Sequence, residues 1–144
     1  MATLKMSDLS VGDWVHHDFY EVDMRVRTIY GDTERIIAES NDGYGVTCHL
    51  DHFRPIPITA EILEANGFVD NGVGQHYLKC GNGITARVGR NPLSHDDCWL
   101  VATDKQVDET ISTTCVLFDA KHIHQLQHAL RLAGVDKEIV MPNK

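Results

Sequence analysis

"YEVDMRVRTIYGDTERIIAESNDGYGVTCHL", residues 20 to 50, decides how the first part of this 144-residue chain folds. Val22, Met24, Val26 and Thr28 fall on one side of an extended backbone, and Arg25, Arg27 and Ile29 on the other, which is the two-residue period of a strand half covered by a core. Gly31-Asp32 interrupts the run, "ERIIAES" resumes it, Asn41-Asp42-Gly43 makes the next turn, and "YGVTCHL" follows. Gly, Asn and Asp tolerate the positive φ of tight reversals, so the stretch reads as an antiparallel meander. Upstream, "GDWVHH" supplies another strand through Trp14 and Val15. Downstream, the two prolines of "HFRPIPI" suit an edge or closing strand. Strands of this number and length predict a small SH3-like β-barrel over residues 6–58.

Past the barrel the punctuation changes. Thr59 is a good N-cap, Glu61 and Glu64 favour the early turns of a helix, and Asn66-Gly67 ends it. "QHYLKC" and "ITARV" flank Gly81-Asn82-Gly83, a clear hairpin signal. "CWLVAT" and "ETISTTCVLF" read as two more strands, after which Asp119 is expected to cap a final helix that Gly134 stops. The expected unit over 59–140 is a helix, a four-stranded antiparallel sheet and a helix, packed against the barrel. The fold class that follows is α+β.

Composition narrows the function. Lys plus Arg number 13 against 21 Asp plus Glu, a formal net charge of -8. Residues 1–55 carry five basic and ten acidic groups, and no basic tract exists. A grip on phosphates needs clustered Lys and Arg, so nucleic acid is disfavoured as a partner. The N-terminus has no secretory pattern and no apolar run is long enough to span a bilayer, so the reading is a cytoplasmic chain. Cys48, Cys80, Cys98 and Cys115 show no CxxC pair and are expected to be reduced thiols.

The sharpest chemical pattern is "HIHQLQHALRLAG", residues 122–134, which sets His124 and His128 one helical turn apart. Ile123, Leu126, Leu130 and Ala133 form one stripe, and His124, His128 and Arg131 fall opposite, so the imidazoles are expected to point away from the core. Two such rings can bind zinc. Here the intervening Gln125, Leu126 and Gln127 offer no base, no third ligand follows, and Arg131 would repel a cation, so no metal and no cofactor are expected. "CHLDH" (Cys48, His49, His52), "HDDC" (His95, Asp96, Asp97, Cys98) and His16-His17 read as loop or strand polarity, since catalytic partners are defined in space. "NGVG" and "GNG" lack the setting of a phosphate cradle and read as turns. Trp14, Tyr20, Tyr30 and Tyr44 cluster in the barrel, where rings beside Arg25 and Arg27 could stack on a base or on a partner's side chain.

"DLSVGDWV", "RPIPITAEILEANGF" and "HIHQLQHALRLAGVDKEI" together resemble a family of short uncharacterised proteins from Bacteroidetes bacteria and their phages. Those chains are similar in plan, with a Pro-Ile-Pro-Leu/Ile-Thr entry to a helix ending in Gly-Phe and a terminal Val/Ile-His-Gln/Glu-Leu-Gln helix. The resemblance implies shared architecture and a phage or mobile-element origin, and it carries no activity. The expectation is a non-catalytic binding protein whose partner is a protein, with a homodimer as one form, or a small molecule. His124, Gln127, His128, Arg131, Arg25, Arg27 and Tyr44 are the candidate contact residues. A nucleotide-like ligand binder is the alternative, and a metal-dependent hydrolase using His124 and His128 is a further one.

Overall fold

The computed structural model describes residues 4–72, 74–81, 83–90, 98–106, 112–135 and 137–142. The chain divides into two compact units, Met1–Pro57 and Ile58–Pro142.

The first unit is one antiparallel sheet. Its strands are β1 (Trp14–His17), β2 (Val22–Tyr30), β3 (Arg35–Glu39), β4 (Gly45–His49) and β5 (Phe53–Pro55), in the order β4-β3-β2-β1-β5. Its core face gathers Leu9, Val15, Met24, Val26, Ile36, Ala38, Leu50 and Phe53. The lead-in "SVGDW" is pinned to β2. Gly12, at φ +96°, donates its N–H to the Val26 carbonyl at 2.7 Å, while the buried Asp13 carboxylate accepts the Ser10 N–H at 2.7 Å.

Two expectations are corrected here. The sheet does not close into an SH3-like barrel, because a turn over Leu50–His52 carries the chain from β4 to β5 with no ladder between them. β5 is only three residues long and pairs with β1 alone, and Pro55 has no N–H to offer a further strand. The alternation in β2 also changes phase. Val26 opposes Ala38 and Thr28 opposes Ile37, which leaves Arg27 as the extra residue of a bulge. Ile29 therefore joins Val22 against the core, where strict alternation had sent it outward.

The second unit opens with α1 (Ala60–Ala65), where the Thr59 hydroxyl accepts the Ile62 N–H at 3.2 Å as the N-cap expectation requires. Five strands follow: β6 (Val69–Asp70), β7 (Gln75–Gly81), β8 (Ile84–Arg90), β9 (Trp99–Gln106) and β10 (Ser112–Ala120), in the order β10-β9-β8-β7-β6. The expected four-stranded sheet thus has a fifth member, the exposed two-residue β6. Across its middle, Arg87 makes a two-pronged ion pair with Asp104 (2.6 and 3.2 Å), whose carboxylate also accepts the Thr114 hydroxyl at 2.6 Å. Burial pushes the Asp104 carboxyl up, yet the Thr114 and Arg87 bonds prevail and hold it below its ordinary value.

The closing helix α2 (Ile123–Leu132) starts later than Asp119, which lies in β10. The chain entering it is held from inside the helix: Gln125 Oε1 accepts the N–H of the N-cap His122 (3.1 Å) and that of Lys121 before it (2.9 Å). At the other end Gly134, at φ +78°, lets Val135 N–H reach back to the Leu130 carbonyl at 2.9 Å, a Schellman stop. Among the described residues there are two antiparallel five-stranded sheets and one helix longer than two turns, so the molecule is mostly β, which replaces the expected α+β class. Among the described residues, no helix is long and apolar enough to cross a membrane.

Candidate functional site

α2 does not present the polar face expected of it. His124 is 4% exposed and Gln127 is 2% exposed, both inside the buried arc with Ile123, Leu126, Ala129 and Leu130. The expected outward orientation is therefore overturned for His124, and Gln127, a candidate contact residue, is buried as well. For Gln127 the reason lies beyond Gly134. Residues 137–141 return alongside the helix, and the Gln127 side-chain amide donates to the Lys137 carbonyl (3.0 Å) and accepts the Ile139 N–H (2.7 Å). Asn66, read from sequence as a helix end, does the same one step on. Its amide donates to the Val140 carbonyl (2.9 Å) and accepts the Val140 N–H (2.7 Å). Two buried side-chain amides thus stand in for a paired strand, and Ile139 and Met141 are buried beneath them.

His124 packs its ring against His122 (5.8 Å, stacked) and meets His128 edge-on at 5.9 Å. Burial, and then Lys121, lower the His122 pKa. Arg131 pairs with Glu138 at 3.2 Å. His122, His124 and His128 thus form a row of rings, and among the described residues this row is not a group whose donor atoms converge as a metal site needs.

In the first unit, Tyr44 stands in an exposed aromatic group. Its ring meets Tyr20 at 6.0 Å, and Tyr20 meets Phe19 at 5.1 Å, both edge-on. Phe19 is 78% exposed and carried by the β1–β2 turn, whereas Tyr44 comes from the β3–β4 turn. Tyr44 beside it raises the Tyr20 hydroxyl pKa. Trp14, for which core packing is the simpler reading, is buried. Arg25 and Arg27 are engaged, the former with the Gly12 carbonyl at 3.2 Å and the latter with Glu39 at 3.2 Å.

His17 holds the turn that bears these rings. Its Nδ1 accepts the N–H groups of Phe19 and Tyr20, each at 3.2 Å, which fixes the proton on Nε2, where it points to Cys48 Sγ at 3.4 Å. Burial, then His52 stacked at 6.1 Å, lower its pKa; Asp18 opposes this and His16 adds to it. His16 itself faces Asp23 at 2.9 Å, and His49 lies between Glu34 (3.5 Å) and Asp51 (3.3 Å).

A third grouping was not anticipated. Asp70 on β6 lies directly across the ladder from His76 on β7, and Glu64 comes from the last turn of α1. One ligand atom from each lies within 4.8 Å of the other two. The His76 ring is buried and meets Trp99 at 6.0 Å, with Arg90 over the indole at 4.6 Å. His76 Nε2 is 3.6 Å from Glu64 Oε1, too long for a hydrogen bond, and neither ring nitrogen has a hydrogen-bond partner. The signal was present in "VDNGVGQHY": "NGVG" reads as a turn, and Asn71-Gly72 begins the reversal that sets Asp70 against His76.

Cys48, Cys80 and Cys98 are free thiols. His95, Asp96 and Asp97 lie outside the described residues, as does the Cys115 side chain. Comparison with protein-family models, with curated proteins and with solved structures gives no match.

Proposed function

We propose that this chain is a non-catalytic, cytoplasmic interaction protein that recognises a partner protein through Phe19, Tyr20 and Tyr44. The observation that carries this reading is the exposure of three large rings on two turns, with Tyr20 in contact with both Phe19 and Tyr44. Aromatic residues are enriched at the energetic centres of protein interfaces, and an exposed cluster of them costs a monomer solubility without a compensating use. The turn is braced from below by His17, so the rings are held in place before a partner arrives, which lowers the ordering cost of binding. The resemblance of "RPIPIT" and "HIHQLQ" to phage-borne chains supports a mobile-element origin for such an accessory module.

A nucleotide-like ligand is less well served, because Arg25 and Arg27 already have acceptors. The two readings separate in one experiment. The chain is used as bait beside Phe19→Ser and Tyr44→Ala variants, with thermal shifts measured against a nucleotide panel. A protein retained by the native chain and lost from both variants supports the interaction reading. A nucleotide that stabilises the chain by about 2.7 kcal/mol at a hundred times its Kd replaces it.

A further inference from the structure

We propose that Glu64, Asp70 and His76 form a binding site for a divalent transition-metal ion of the zinc class. The inference is independent of the interaction surface on the first unit. It stands on two observations of different kinds. The first is convergence: donors from α1, β6 and β7 place one nitrogen and two carboxylate oxygens within 4.8 Å of one another. Two donors about 2.1 Å from a tetrahedral ion sit about 3.4 Å apart. The 3.6 Å between His76 Nε2 and Glu64 Oε1 is already close to that spacing. The second is the state of His76. Its ring is 4% exposed, yet both nitrogens lack a hydrogen-bond partner, in a protein interior where such atoms are almost always satisfied. An ion facing Nε2 would supply the missing partner.

Local structure prepares the donors. The β6–β7 ladder fixes Asp70 opposite His76, and the Gly72 N–H bonds Asp70 Oδ1 at 2.8 Å, leaving the other carboxylate oxygen for a ligand. Glu64 and Asp70 are exposed and so available to an ion from solvent, while His76 closes the inner side. The donor set selects the ion. Imidazole nitrogen suits zinc, cobalt, nickel and iron, whereas magnesium and calcium prefer all-oxygen shells. Three protein ligands leave a coordination position for water, as in an exchangeable site.

The test uses the full, tag-free chain after treatment with chelator. Zinc chloride is titrated by calorimetry, and cobalt chloride is followed by visible absorption and by quenching of tryptophan emission, since Trp99 lies 6.0 Å from the His76 ring. The expected result is one ion per chain, unaffected by equimolar magnesium. Loss even of an outer partner that orients a metal ligand lowers affinity by about 10–100-fold, so Glu64→Gln and Asp70→Asn should each weaken binding by at least about tenfold. His76→Gln should abolish it, and His128→Gln should leave it intact. Should the buried His76 variant fail to fold, the two exposed carboxylate variants decide. No stoichiometric binding, full affinity in both carboxylate variants, or loss of binding in His128→Gln would each overturn the site.

Discussion

The two units each bury a histidine in a five-stranded sheet, and the two rings are treated in opposite ways. His17 spends both nitrogens on its own unit, accepting from the β1–β2 turn and donating towards Cys48. His76 spends neither on a hydrogen bond, and turns one towards two carboxylates. The difference separates a histidine that builds a surface from one that awaits a ligand, and burial alone would not have told them apart.

The units also differ in how they finish their cores. Both sheets keep two edge strands, β4 and β5 in the first and β10 and β6 in the second, but the second unit adds a return of residues 137–141 held by Asn66 and Gln127. The largest effect should come from cutting that return. Asn66→Ala or Gln127→Ala leaves buried backbone groups without partners and should cost about 1–3 kcal/mol each in chemical denaturation. A loss confined to a few tenths would mean the tail contributes little.

A smaller effect separates the histidines by pH. The folded pKa of His17 lies below its ordinary 6.5, so between the two values the unfolded chain holds the extra proton. Stability contributed by neutral His17 is therefore complete above 6.5 and falls as pH drops through that value towards the folded pKa, with a slope of at most about 1.4 kcal/mol per pH unit for one proton. His122 acts in the same sense in the second unit. Denaturation curves from pH 7.5 to 5.5 should show the decline, and His17→Gln should flatten part of it. Protonation at Nδ1 also removes the acceptor for Phe19 and Tyr20 N–H, so partner binding should weaken over the same range. The smallest expected effect is on stability at the aromatic surface itself: Phe19→Ser and Tyr44→Ala should change folding free energy by no more than about 0.5 kcal/mol while removing partner binding.

Much of the strand order was legible because turns advertise themselves. Gly31-Asp32, Asn41-Asp42-Gly43 and the pair Gly81 and Gly83 fall at reversals, and Thr59 caps the helix its sequence announces. Closure of the first sheet was not legible, since Pro55 permits an edge as readily as a closing strand and only the pairing of β5 with β1 decides. β6 was invisible because two exposed residues carry no periodicity. The outward orientation of His124 failed because a helical wheel counts one apolar stripe, and Gln127 is buried for a tertiary reason, since the returning tail takes both polar atoms of its amide. The same limit hid Asn66, whose helix-ending role is local and whose bonds to Val140 span 74 residues.

The most direct test of the contrast between the two rings is a long-range ¹H–¹⁵N correlation spectrum of the histidine side chains, recorded before and after one equivalent of zinc chloride. The account predicts that His17 shows a proton on Nε2 with Nδ1 as acceptor and does not change, while the Nε2 of His76 shifts to the metal-bound range. A His76 resonance indifferent to zinc, or a zinc-induced change at His17 or His128 in its place, would contradict it.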